Sequence, residues 1–135
     1  MIHLDSSFLI DLQRETHAEK PGGAFEFLEG LDDAEVLAVS AHVLCELRVG
    51  VELSRKPLKE SEALDHLMSG LVVVYPDERF PVIYARLLAA IQRSGGTISA
   101  MDLLIAATAL VDDSPLVTRN VRDFSRVPGL RVLGY

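Results

Sequence analysis

The stretch MIHLDSSFLIDL, residues 1–12, begins with a short, mostly apolar run at Ile2–Leu4, stops at Asp5 and passes directly into a segment with helical spacing. A strand that hands over at once to a helix points to a sheet whose strands are joined by helical crossovers. The same pattern recurs downstream. Val36–Val39, Leu71–Val74, Leu116–Thr118 and Leu130–Leu133 are the other four candidate strands. Several are near-continuous Val and Leu, without alternation, as parallel strands covered on both faces should be.

Helical patterns lie between the strands. After Pro76, the residues Phe80, Ile83, Tyr84, Leu87, Leu88 and Ile91 form one apolar stripe at helical spacing. Pro81 falls in its first turn, where a missing N–H is harmless, and Gly95-Gly96 ends it. A second helix starts near Ser99 and runs through an Ala/Leu-rich stretch to about Val111, before Pro115. A third follows Ser40, an N-cap residue type, and carries Leu44, Leu47 and Val51. Residues 21–33 and 58–69 fit further helices. The reading is an α/β domain over residues 1–135, with a central parallel sheet and right-handed crossovers. In such sheets, sites form at the carboxyl ends of the strands, where the strand order reverses.

Composition agrees with one folded domain. The 135 residues are 49% hydrophobic and 24% charged, which argues against disorder. The single cysteine, Cys45, excludes an internal disulfide framework and a Cys-rich zinc site. There is no basic, apolar leader at the start and no 18-residue apolar window, so the expectation is a soluble cytoplasmic protein without membrane contact. Twenty acids against thirteen Lys and Arg give a net charge of −7 and a pI near 5.0. Proteins that hold nucleic acid through its phosphates alone are usually basic, which excludes a simple electrostatic binder. An acidic enzyme handles phosphodiesters only if its carboxylates recruit divalent cations.

Most of the acids read as solvated surface, among them Glu26, Glu29, Asp32, Asp33, Glu60, Glu62 and Asp65. Four stand at strand ends or helix starts. Asp5 follows the first strand, where it also suits an N-cap. Glu46 lies in the first half of the helix after strand two, at the edge of an apolar stripe. Asp102 belongs to Ser99-Ala100-Met101-Asp102, the S-x-x-D form of a capping box, but the helix it opens is so apolar that it reads as buried. Asp123 follows strand four and, taken singly, is an ordinary loop acid. Together the four change meaning. If strands one, two and four are neighbours, all can meet at one carboxyl edge, and bare anions there would repel one another and resist burial. A divalent cation resolves the conflict, and oxygen-only ligands select Mg²⁺ or Mn²⁺.

Taken together, Asp5 in MIHLDSSFLIDL, Glu46 in VSAHVLCELRVGVE, Asp102 in ISAMDLLIAATAL and Asp123 in LVTRNVRDF resemble the PIN domain, and more narrowly the VapC toxins of bacterial and archaeal toxin–antitoxin pairs. The pieces follow the family's order over nearly the whole chain. The resemblance implies a metal-dependent endoribonuclease that cuts RNA with a metal-activated water and is held inactive by a cognate VapB-like antitoxin. It also implies a homodimer and a parallel five-stranded sheet in order 3-2-1-4-5 with helices on both faces. Asp5, Glu46 and Asp102 match the family's acidic triad, and Asp123 matches its more variable fourth acid. All four would serve as catalytic and metal-binding residues for Mg²⁺ or Mn²⁺. Ser7 and Thr118 fall where hydroxyls support the acids, and Asn120 is a polar neighbour. Ser6 replaces the Thr common in the family and keeps the hydroxyl.

RNA also needs a cationic grip. Arg119 and Arg122 are nearest by sequence, with Arg14 behind them and Arg48 the weakest, since two residues after Glu46 it faces away on a helix. His3, His17, His42 and His66 share no ligand spacing and read as structural or exposed. Competing classes fit less well. A haloacid-type phosphohydrolase needs an Asp where Ser7 stands. A receiver domain needs a late Lys, and none follows Lys59. A dinucleotide-binding module needs G-x-G-x-x-G, which neither Gly22-Gly23 nor Gly95-Gly96 supplies. A protein-binding module with a degenerate acid cluster is opposed by the four intact acids.

Overall fold

Strand β1 (Ile2–Leu4) is the middle strand of a five-stranded, all-parallel sheet in the computed structural model, which describes residues 1–135. Its neighbours are β2 (Leu37–Ser40) on one side and β4 (Leu116–Val117) on the other, with β3 (Val72–Val74) and β5 (Val132–Leu133) at the edges. The order is β3-β2-β1-β4-β5, as the resemblance implied. Burial explains the placing. All of β1 and β4 is buried, whereas Val72 and Leu133 on the edge strands are exposed. The strands sit slightly differently from the sequence reading: β2 starts at Leu37 and includes Ser40, β3 starts at Val72, β4 stops at Val117, and β5 is confined to Val132–Leu133.

Seven helices connect the strands. Helices α1 (Ser6–His17) and α2 (Gly23–Glu29) lead from β1 to β2, and α3 (Ala41–Glu52) and α4 (Pro57–Met68) lead on to β3. Helices α5 (Phe80–Arg93) and α6 (Ala100–Val111) cross back to β4, and α7 (Val121–Phe124) joins β4 to β5. The chain moves one way from β1 to β3 and the other way thereafter, so right-handed crossovers put helices on both faces. The helix ends follow local chemistry. The Ser40 hydroxyl accepts from the Val43 N–H at 3.1 Å, capping α3. Gly95, at φ 75°, takes the left-handed conformation that ends α5, and the Gly96 N–H returns to the Ile91 carbonyl at 3.0 Å.

Two expectations need correcting. The helix read over 21–33 is only Gly23–Glu29, because its first amides are satisfied by Glu15 of α1 and the chain turns at Asp32, whose carboxylate accepts from the Ala34 N–H at 2.8 Å. The segment after β4, read as loop, contains the single turn α7, anchored by the buried Phe124. The Ala/Leu-rich α6 is buried as expected, with Leu103, Ile105, Ala106, Ala107 and Ala109 each almost inaccessible. These residues join Leu4, Phe8, Leu9, Val39, Leu116 and Val117 in one core. No helix is long and apolar enough to cross a membrane.

Candidate active site

Asp5 sits where β1 ends, between β2 and β4, which is the point where the chain's direction across the sheet reverses. It occupies the N-cap position of α1, yet its side chain makes no capping bond. Oδ2 instead accepts from the Ser7 hydroxyl at 2.9 Å and from the Thr118 hydroxyl at 2.8 Å. Those hydroxyls are themselves fixed, because Ser7 Oγ accepts from the Arg119 N–H at 3.1 Å and Thr118 Oγ1 from the Asn120 N–H at 3.0 Å. Both hydroxyls donate to Asp5 and lie 3.3 Å from each other, and the buried carboxylate keeps Oδ1 without a protein partner. Two hydroxyls thus orient the side chain, and it is not used as a helix cap.

Glu46 and Asp102 approach from two helices. Burial is the main cause that pushes the Glu46 carboxyl above its ordinary pKa; the Ser6 hydroxyl works against it, and the charges of Asp5 and Asp102 add to it. Glu46 Oε1 is buried and has no hydrogen-bond partner. Asp102 lies in the first turn of α6, where only half of the expected capping box forms: the Ser99 hydroxyl accepts from the Asp102 N–H at 3.2 Å. Burial again leads in raising the Asp102 pKa, Ser99 opposes it, and Asp5 and Asp123 push it further up. Asp123, on α7, is held by the Asn120 side-chain amide, which donates to Oδ2 at 2.9 Å. The four acids thus form a chain of mutual repulsion, with Asp5 and Asp102 at its centre and Asp123 at its margin. The sequence predicts all four meeting at one edge; the structure brings them close enough for Asp5 and Asp102 to act on Glu46, and for Asp5 and Asp123 to act on Asp102, but no three of them close to within reach of a single point.

Asp5 and Asp102 line an open cavity of about 420 Å³ together with Ser6, Ser7, Arg119 and Asn120. The lining contains no hydrophobic residue, so the cavity suits a hydrated, charged ligand. In its chemistry, all carboxylate and hydroxyl oxygen, the donor set suits a hard divalent cation, although its present spacing does not close on one. A buried carboxylate oxygen with no donor, beside carboxylates that raise its proton affinity, is a vacant acceptor that a proton or a cation must satisfy.

Arg119 reaches the rim and donates through Nη1 to Asp11 Oδ1 at 2.7 Å and Oδ2 at 3.0 Å. The Tyr135 hydroxyl also donates to Asp11 Oδ2, at 2.6 Å. Asp11 and Tyr135 were not among the residues singled out in the sequence. Asp11 lies one helical turn after Ser7 on α1, a spacing that could have flagged it; nothing local flags Tyr135. Arg14 is 3.7 Å from Asp11 and largely exposed. Arg48 bonds Ser61 and Asp65 on α4, away from the acids, as its helical position predicted. Of the histidines, His3 is buried and bonds Asp112 at the far end of α6 at 2.7 Å, and His17 and His66 are exposed. His42 stacks on Phe80 with ring centroids 5.8 Å apart, and its Nδ1 is buried without a partner.

Comparison with known proteins agrees with this architecture. A family model described as the PIN domain matches residues 2–130. The ribonuclease VapC2 of Rickettsia felis is 33% identical over 110 residues, covering 82% of each chain. The ribonuclease VapC19 of Mycobacterium tuberculosis is 34% identical over 128 residues, covering 95% of each. Among solved structures, VapBC2 of Rickettsia felis bound to a DNA fragment from its promoter superposes with a TM-score of 0.88 at 29% identity, covering 100% of this chain and 99% of that one.

Proposed function

The chain belongs to the PIN-domain family as a VapC-type endoribonuclease toxin of a toxin–antitoxin pair, and from that membership we propose that Asp5, Glu46, Asp102 and Asp123 form its divalent-metal centre. Residues 1–135 act as one PIN domain. The observation that carries the reading is Glu46 Oε1, buried without a donor and pressed by the charges of Asp5 and Asp102. Mg²⁺ or Mn²⁺ held by these residues would supply a Lewis acid for the phosphoryl oxygens and would lower the pKa of a water so that its hydroxide could serve as nucleophile.

The protein's own groups prepare the site. Ser7 and Thr118 hold Asp5 by one oxygen, so the other keeps a fixed direction. Asn120 restrains Asp123, and the Ser99 cap fixes the turn of α6 that carries Asp102. Arg119 offers the one positive charge in the cavity wall. No histidine acts as general base. RNA is the substrate, and its cleavage leaves 5′-phosphate and 3′-hydroxyl ends. A VapB-like antitoxin is the partner in the cytoplasm, and its inhibitory contact is a basic side chain presented to the acids, favoured by the net charge of −7. The toxin works as a homodimer.

The test is metal-dependent cleavage of a susceptible RNA, found by mapping new 5′ ends after brief induction. Asp5→Asn should lower Mn²⁺-dependent cleavage on the order of a hundredfold or more with the circular dichroism spectrum unchanged. Cleavage at the wild-type rate by that variant removes Asp5 from the centre. A wild-type protein that cuts nothing with Mn²⁺ supplied is a binding module instead.

A further inference from the structure

We propose that Asp11 and Tyr135 are positioning residues that hold the Arg119 guanidinium on the cavity rim as the receptor for an RNA phosphate; this rests on the nuclease reading above and assigns the substrate grip within it. Arg119 is the only cation among the residues that line the cavity, and Asp5 and Asp102 share that lining. A guanidinium left free beside those carboxylates would pair with them and compete with a divalent cation. It does not. Its Nη1 is engaged by both oxygens of Asp11, whereas Nη2 and Nε have no protein partner. Those unused donors form an edge suited to phosphate oxygens, on a side chain that is 58% exposed.

The tether is firmer than an ordinary surface pair. The Asp11 side chain is only 17% exposed, and the Tyr135 hydroxyl donates to the Oδ2 that Arg119 also uses. The Tyr135 ring packs edge-on against the fully buried Phe8, with centroids 4.9 Å apart at 84°, so the hydroxyl is carried by the core. Burial first, and then the Asp11 carboxylate, hold the Tyr135 hydroxyl well above the ordinary phenol range, so it remains a donor. At its other end, Arg119 is tied through its N–H to Ser7, which also orients Asp5. Receptor and acid cluster are therefore fixed to one frame. An isolated exposed ion pair needs neither the tyrosine nor the buried carboxylate.

The experiment has a binding arm and a kinetic arm. Binding of a fluorescein-labelled single-stranded oligouridylate with Mg²⁺ present is followed by anisotropy over a salt series, in wild type and in Asp5→Asn protein. Arg119→Ala should weaken binding about tenfold and reduce the slope of log affinity against log salt by about 0.7, the signature of one lost contact to single-stranded phosphate. Arg119→Lys should restore the slope while recovering only part of the affinity. Tyr135→Phe keeps the ring on Phe8 and removes only the hydroxyl. With an RNA that the wild type cuts, Tyr135→Phe and Asp11→Asn should raise KM about three- to tenfold and leave kcat within about twofold. Unchanged affinity and slope in Arg119→Ala overturn the phosphate role. Asp11→Asn or Tyr135→Phe binding RNA as tightly as the parent, or more tightly, overturns the tether. If the wild type cuts nothing, the nuclease reading fails, while the binding arm still decides on Arg119.

Discussion

Glu46 stands where a bare carboxylate is unfavourable, because one oxygen lacks a donor and two like charges add to the effect of burial. For an acid whose folded pKa is raised, the folded state binds more protons than the unfolded chain between the two pKa values. Metal-free stability therefore falls as pH rises through that window and recovers as pH drops through the raised pKa, for Glu46 and Asp102 alike. Glu46→Gln in chelator should raise the melting temperature at neutral pH by about 3–5 °C, corresponding to about 1 kcal/mol of relieved charge burial and like-charge repulsion, and flatten its decline with pH. A lower melting temperature for this variant would mean that Glu46 is a stabilising surface acid. The same residue shows why the acids were legible in sequence: each interrupts or follows an apolar run, so position alone marks it. Asp5 shows the limit of such marking, since N-cap and ligand predict the same residue in the same place. Only the two hydroxyls on Oδ2 separate them. Tyr135 lies beyond any local signal, because its bond to Asp11 spans 124 positions of sequence.

Helix α6 was readable as a buried element because LLIAATAL presents apolar or small side chains on every face, and the small ones explain how the helix packs. Ala106, Ala107 and Ala109 are wholly inaccessible, so nothing larger fits without displacement. Ala106→Leu should cost about 1–3 kcal/mol through overpacking. Because Asp102 opens the same helix, it should also lower metal-dependent cleavage, on the order of tenfold for a sub-ångström shift of a reacting geometry. Thermal melting and initial rates check both, and a variant with unchanged melting and rate would show slack around α6. Other elements were less legible for a physical reason. The N-terminus of α2 is served by the Glu15 carboxylate, which accepts from the Gly22, Ala24 and Phe25 amides at 2.9–3.0 Å from a different helix. A boundary fixed by a distant acceptor leaves no capping residue to read. Likewise α7 exists because Phe124 is buried, a tertiary demand that overrides the loop character of its sequence. Strands β4 and β5, two residues each, are recognisable as apolar runs, but their ends depend on what their neighbours pair with.

Across the whole molecule, the acids come from β1's end, α3, α6 and α7, so the proposed ion would tie together elements from both directions of the sheet. With a net charge of −7 and neighbouring carboxylates that add to the raised pKa of Glu46 and of Asp102, the metal-free chain carries self-repulsion focused at the carboxyl edge. A ligand that binds only the folded state stabilises it by mass action, about 2.7 kcal/mol at a hundred times its dissociation constant. For a domain of this size Mn²⁺ should then raise the melting temperature on the order of 10 °C, and a chelator should reverse the shift. The increment should vanish in Asp5→Asn and shrink strongly in Glu46→Gln, even though the second variant melts higher than wild type without metal. That inversion separates a functional cluster from a structural one. Acids kept for stability lose it when neutralised, whereas acids kept for a dication gain stability when neutralised and lose only their response to metal. Calorimetry of the three proteins, with and without Mn²⁺, reads the difference directly, and a wild-type melting temperature indifferent to Mn²⁺ would leave the acids without their proposed counter-charge.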